Sequence, residues 1–226
     1  MTKLVLFDID HTLVVGTKAH GQAFSYAYKV IYGVEANQDK VFHGWTDIQI
    51  IKEVVGQRGI PNEEIEKKIP RCLEVMANEY KKLIANEEII VLPGVRELLV
   101  ALTEGQVLIG LVTGNLKDIA QAKLSKVNLW HFFSLGGFGS ENEERNKLAK
   151  LAIERARKDY KFPITGEVFL VGDAPPDIEA GKSIGAKTIG VATSAYSLEQ
   201  LKASGADYVL DNLTDANGIL KIIGIT

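Results

Sequence analysis

Short apolar runs bounded by charge or glycine recur along the chain, at Leu4–Phe7, Val107–Val112, Phe132–Leu135, Val168–Val171, Thr188–Val191 and Tyr208–Leu210. Runs of this length without polar alternation are the pattern of strands buried on both faces of a parallel sheet. The segments between them carry helical periodicity, so strand and helix alternate and the predicted class is α/β, a Rossmann-like parallel sheet. From the second run onward the spacing suits successive right-handed crossovers. Between Phe7 and Val107 it does not, and that interval holds four amphipathic stretches instead: Ala19–Ile31, Asp47–Gln57, Glu63–Lys68 and Cys72–Ala85. They read as a small helical bundle. Gly33, Gly59-Ile60-Pro61 and Pro70 are each expected to stop or start a helix, and Pro93-Gly94 marks the return to the α/β pattern. The predicted organisation is a core of residues 1–15 and 92–226 and a helical cap of residues 16–91. A cap inserted after the first strand lies above the sheet edge where such folds bind ligands, which suits a lid.

Composition narrows the class. With 226 residues, 46% hydrophobic and 24% charged, the chain has the usage of an ordinary globular protein, which excludes a disordered or fibrous one. A net charge of −3 offers no basic field to hold nucleic acid or an anionic membrane, so neither is expected as a partner. The single cysteine, Cys72, excludes an intramolecular disulfide and cannot alone make a zinc site. The first apolar run is too short for a signal peptide or a membrane span. The cytoplasm is the expected compartment, and a monomer or homodimer the expected state.

Candidate chemistry lies where the strands end. Asp8-Ile9-Asp10-His11-Thr12 puts two carboxylates and a hydroxyl directly after the first run. Their repulsion must be relieved by a cation or by one raised pKa, giving a metal-bound nucleophile beside a proton carrier; a solvated turn is the plain alternative. Gly172-Asp173-Ala174-Pro175-Pro176-Asp177 follows another run and brings two more acids to the same edge if the two strands are neighbours. Helix capping explains that pair equally well. Four carboxylates at one edge, with oxygen donors only, select a hard cation such as Mg²⁺. Leu111-Val112-Thr113-Gly114-Asn115 ends a third run before a helix, where Thr113 Oγ and the N–H groups of Gly114 and Asn115 suit a phosphate; Thr-Gly-Asn is also a good N-cap. Arg145 or Lys147 supplies a phosphoryl-binding cation, with Arg145 favoured because it lies nearer the loop. No glycine fingerprint for a nicotinamide cofactor follows the first run, and Gly136-Gly137-Phe138-Gly139 has the wrong spacing.

Together these residues resemble the haloacid dehalogenase superfamily of phosphohydrolases, whose pattern is Asp-x-Asp-x-Thr, then Ser or Thr, then Lys or Arg, then Gly-Asp-x-x-x-Asp, with a C1-type helical cap between the first two motifs. The resemblance implies that Asp8 is the nucleophile that forms an aspartyl phosphate and that Asp10 is the acid and base. It makes Thr113 the hydroxyl that orients the phosphoryl group. It assigns Mg²⁺ to Asp8, the Asp10 backbone carbonyl and Asp173, with Asp177 completing or supporting the shell. Phe42-His43-Gly44-Trp45-Thr46-Asp47 is similar to the substrate-selecting cap loop of phosphoglycolate phosphatase-like and phosphoglucomutase-like members, which makes His43, Gly44 and Trp45 candidate contacts to the leaving group. Thr46 or Asp47 can equally cap the next helix. His20, on the first cap helix, is a further candidate. The departures are His11 in a place where relatives often carry glycine, Ala174 in place of a hydroxyl, and Arg145-Asn146-Lys147 in place of Lys-Pro. The implied activity is a Mg²⁺-dependent phosphatase for a small phosphorylated metabolite, phosphoglycolate-like. A β-phosphoglucomutase-type mutase and a phosphorylatable regulatory module are the alternatives. A hydrolytic dehalogenase would need neither Asp10 nor Asp173.

Overall fold

The computed structural model describes residues 2–16, 18–36 and 42–225. Six parallel strands form the sheet: β1 (Lys3–Phe7), β4 (Leu108–Thr113), β5 (Leu135–Phe138), β6 (Glu167–Gly172), β7 (Lys187–Val191) and β8 (Tyr208–Leu210). Their order is β5-β4-β1-β6-β7-β8, so the chain moves outward from β1 to one edge and then returns to β1's other side. That reversal opens a crevice at the carboxyl ends of β1 and β6, where Phe7 pairs with Val171. Alternate residues of β1 serve the two faces. Leu4 and Leu6 join one hydrophobic cluster and Val5 and Phe7 the other, and every one is fully buried. One face is covered by α4 (Val95–Glu104), α5 (Lys117–Lys126) and α9 (Ala216–Ile223), the other by α6 (Arg145–Tyr160) and α7 (Pro175–Ser183). The short α8 (Leu198–Ala203) links β7 to β8.

Five of the six expected strands stand where the apolar runs place them. The sixth moves: residues 130–132 form a 3₁₀ turn and the strand is Leu135-Gly136-Gly137-Phe138. Two glycines disguised it: a Cβ on Gly137 would fall 2.0 Å from the Leu148 carbonyl oxygen of α6, and one on Gly136 would fall 2.8 Å from the Phe138 ring. A short antiparallel ribbon, β2 (Val14–Val15) with β3 (Ile90–Val91), also went unread. It ties together the two connections between sheet and cap.

The cap consists of α1 (Lys18–Tyr32), α2 (Asp47–Gly56) and α3 (Asn62–Leu83). Pro70, expected to end a helix, lies inside α3. Ile65, Ile69, Cys72, Met76 and Tyr80 form one buried stripe running past it, and burying that stripe against α1 outweighs the lost helical hydrogen bond. The cost remains in place, because Pro70 itself is exposed. Pro70→Ala is expected to raise the unfolding free energy by about 2 kcal/mol, since restoring the N–H outweighs the unfolded-state entropy that proline removes. Urea denaturation measures this, and a lower midpoint would contradict it. The cap's apolar cluster extends onto Leu116 and Ile119, so α5 is the seat on which the cap rests. Among the described residues no helix is long and apolar enough to cross a membrane.

Candidate active site

Three strand ends deliver the site. Asp8 leaves β1 with its N–H still bonded to the Val171 carbonyl (2.9 Å), and the N–H groups of Thr12, Leu13 and Val14 turn back onto the Ile9 carbonyl. His11 holds this loop at φ 60°, a left-handed conformation that glycine adopts more freely. Asp173 follows β6 and accepts from Thr12 Oγ1 at 2.9 Å. Asp177 reconciles the two readings of its motif: one oxygen caps α7 by accepting from Ala174 N–H (3.1 Å), and the other faces the cluster.

Asp8, Asp173 and Asp177 are buried, and one oxygen from each lies within 4.8 Å of the other two. Burial, and then repulsion from Asp177 and Asp8, pushes the Asp173 carboxyl well above the usual carboxylate range. Burial also raises Asp177, with Arg145 pulling against it and Asp8 adding to it. One cation among the described residues bonds to this group. Arg145, the first residue of α6, donates from Nη2 to Asp8 Oδ1 at 2.6 Å and to Asp177 Oδ1. Three buried carboxylates against one guanidinium leave a surplus of negative charge among oxygen donors, which fits a hard divalent cation. Lys147 does not take part. It lies about 200° further around the helix than Arg145, exposed and paired with Glu144 at 2.5 Å.

The Asp10 carboxylate stands outside this cluster. It accepts from Lys123 Nζ at 2.6 and 2.9 Å and from Asn115 Nδ2 at 2.7 Å. Burial alone would raise its pKa, but Lys123, then His20 and the two side-chain hydrogen bonds, outweigh that and bring it down to about 2. Lys123 was missed in the sequence. Its one signal was its place on the apolar face of α5, beside Ile119, Ala120 and Leu124, where a lysine is anomalous.

The Thr-Gly-Asn segment differs from expectation in detail. Asn115 N–H is not free for a ligand, because it donates to Thr113 Oγ1 at 3.3 Å, and Asn115 Nδ2 reaches the same oxygen at 2.8 Å. Nor does the segment cap α5. That cap comes from across the crevice, where Asp47 Oδ2 accepts from Leu116 N–H at 2.9 Å, while Thr46 forms a capping box with Gln49 at the start of α2. Gly114 permits the approach: a Cβ there would lie 2.1 Å from the Trp45 carbonyl oxygen. Gly44, at φ 77° against Pro176, accepts from Arg145 Nη1 at 3.2 Å, tying the cap loop to the guanidinium.

Between cap and sheet edge lies a cavity of about 670 Å³, with Asp8, Asp10, Asp173 and Arg145 on the sheet side. Lys18, His20, His43 and Trp45 face it from the cap. The His20 ring stacks on Phe24, and its Nε2 comes to 3.3 Å of Asp47 Oδ1 without hydrogen-bond alignment. His43 packs edge-on against His11, with ring centroids 5.0 Å apart; burial and then His11 lower its pKa, which favours the neutral imidazole.

The family model described as haloacid dehalogenase-like hydrolase matches residues 5–191, which takes in every strand end just described. The chain belongs to the haloacid dehalogenase-like hydrolase family. It is 25% identical to the pyrophosphatase PpaX of Halalkalibacterium halodurans, over 98% of this chain and 96% of that one. It is 22% identical to the phosphoglycolate phosphatase of Salmonella typhimurium, over 98% of this chain and 92% of that one. Among solved structures, a hydrolase from Pseudomonas syringae superposes with a TM-score of 0.70 at 23% identity, covering 99% of each chain, which shows a shared fold. By that family model the chain is a hydrolase.

Proposed function

We propose that the protein is a Mg²⁺-dependent phosphatase that hydrolyses a small phosphomonoester, phosphoglycolate-like in size, through an aspartyl phosphate on Asp8, with residues 16–91 as the closing cap. The observation that carries this reading is Asp8 itself. It is a buried carboxylate on the sheet side of the cavity beneath the cap, grouped with two further acids and held by a guanidinium 2.6 Å away. In the first step an Asp8 carboxylate oxygen attacks phosphorus and the bond from phosphorus to the leaving oxygen breaks, while the Asp10 carboxylate, ionised in the free protein, relays to that oxygen the proton carried by the monoanionic phosphate ester. In the second, water attacks the phosphoryl group, Asp10 takes the proton, and inorganic phosphate leaves with Asp8 regenerated. Arg145 and the Thr113 hydroxyl orient the phosphoryl oxygens, and the backbone at Gly114 and Asn115 lines their path.

Asp8, Asp173, Asp177 and the Asp10 carbonyl would hold the Mg²⁺ ion. The ion supplies charge that neutralises the phosphoryl oxygens and lets two anions approach. On the cap side His20, His43 and the Gly44 loop select the leaving group, and closure of the cap keeps bulk water from the acyl phosphate.

The relatives named as pyrophosphatases add inorganic pyrophosphate to the compounds worth testing, since the cavity also presents Lys18. A screen of phosphorylated metabolites and pyrophosphate, run with Mg²⁺ and with EDTA, tests the reading. Turnover of at least one small phosphate ester with Mg²⁺, falling by at least about 10³-fold in EDTA, is expected. Undiminished turnover in EDTA would refute it.

A further inference from the structure

Lys123 ranks among the largest fully buried side chains of the protein, in the company of tyrosines, phenylalanines and leucines. Lysines are almost never so deeply buried unless paired. Here all three ammonium donors are spent on two acceptor side chains: both oxygens of Asp10, and Asn115 Oδ1 at 2.9 Å. Asn115 turns its other end to Asp10 Oδ2 and to Thr113 Oγ1. Among the described residues the Asp10 carboxylate is thus gripped from α5 and the segment preceding it, with no hydrogen-bond donor from the loop that carries Asp10. Replacing a buried ion pair by apolar groups of similar volume is often neutral for stability, so fold stability alone does not account for a lysine here.

We propose that Lys123 is a positioning residue for the acid–base step, its ammonium fixing the Asp10 carboxylate at the cavity wall beside Asp8 while Asn115 completes the grip. The inference rests on the aspartyl-phosphate reading above. A proton carrier contributes only from within hydrogen-bond reach of the leaving oxygen and then of the attacking water, and a displacement of an ångström costs about 10²-fold in rate. Lys123 touches neither phosphate nor nucleophile, so its loss should leave substrate binding in place and slow the chemical steps.

The test is a double-mutant cycle on the full-length protein with Mg²⁺ and p-nitrophenyl phosphate. Lys123→Met is expected to lower kcat by about 10²-fold and to leave KM within about threefold of wild type. Lys123→Gln, which keeps one donor for Asp10, should recover part of the loss. In an Asp10→Asn background, Lys123→Met should lower kcat by less than about threefold more, because the group it positions is already inactive. That background should also melt at a higher temperature once the stranded ammonium is removed. Wild-type kcat in Lys123→Met would overturn the proposal, as would two losses that multiply in the double variant. If Lys123→Met fails to fold, the Lys123→Gln rate decides alone: no loss, or a loss in KM only, overturns the proposal. Asp8→Asn run in parallel separates the two layers. An inactive Asp8→Asn with an unaffected Lys123→Met sinks only the positioning role, whereas an active Asp8→Asn sinks the aspartyl-phosphate reading and this inference with it.

Discussion

Asp8→Asn is expected to reduce kcat by at least about 10⁴-fold against any substrate the wild type accepts, because removing a nucleophile disables both half-reactions at once. The substitution is close to isosteric, and Arg145 keeps Asp177 and the carbonyls of Val112 and Gly44, so the fold should survive. One negative charge fewer also lowers the carboxylate repulsion that raises Asp173 and Asp177. Thermal stability without metal should therefore hold or rise while activity disappears. Steady-state kinetics beside a melting curve checks both halves; turnover near the wild-type rate in a folded variant would remove Asp8 from its role.

Asp10→Asn is expected to act in the opposite sense on stability. Lys123 is 0% exposed and the Asp10 side chain 26%, so the two partners are not equivalent. Removing the charge of Asp10 leaves a buried ammonium with amide oxygens alone, which should cost about 3 kcal/mol. Activity should fall by about 10²–10⁴-fold, the usual contribution of a positioned acid–base group. Acid titration of the wild type carries the same signature. Because its folded pKa is depressed from 3.8 to about 2, Asp10 contributes stability that is fully present above about pH 4 and is lost as the pH falls through 2. The Asp10→Asn protein should lack that component. Denaturant curves at pH 6 and pH 3 measure it: a variant as stable as wild type at pH 6 would show that the Lys123 pair carries no stability.

What could be read in the sequence was whatever announces itself locally. Leu4–Phe7 and Val168–Val171 are uninterrupted apolar runs, so their strands and the acids at their ends followed from pattern alone, whereas their adjacency was only a condition that the sheet order meets. Leu135–Phe138 did not, because the close approach of α6 at Gly137 and of the Phe138 ring at Gly136 selects glycine, and glycine erases the strand signal. Pro70 misled for the converse reason: a local breaker was overridden by a buried stripe that only the packed cap makes visible. At the site, Asp8, Asp10, Asp173 and Asp177 were legible as motif residues. Between Arg145 and Lys147 the choice needed the phase of α6, which the sequence leaves open by a residue or two. Lys123 left one sign, a lysine at an apolar position of α5, but nothing local pointed to its partner Asp10, and the Asp47 bond to Leu116 N–H left no sign, because both join residues far apart in the chain. Such contacts have no period to detect.

The central claim is that Asp8 carries the phosphoryl group during turnover. Its most direct test is an acid quench of the Asp10→Asn protein turning over p-nitrophenyl phosphate with Mg²⁺, followed by peptide mapping: that leaving group departs without a proton, so losing Asp10 slows the second half-reaction more than the first and the acyl phosphate accumulates. The expected result is a single hydroxylamine-labile phosphoryl group on the peptide containing Asp8, absent from Asp8→Asn and absent in EDTA. Turnover without any phosphorylated peptide, or a phosphoryl group on another residue, would contradict it.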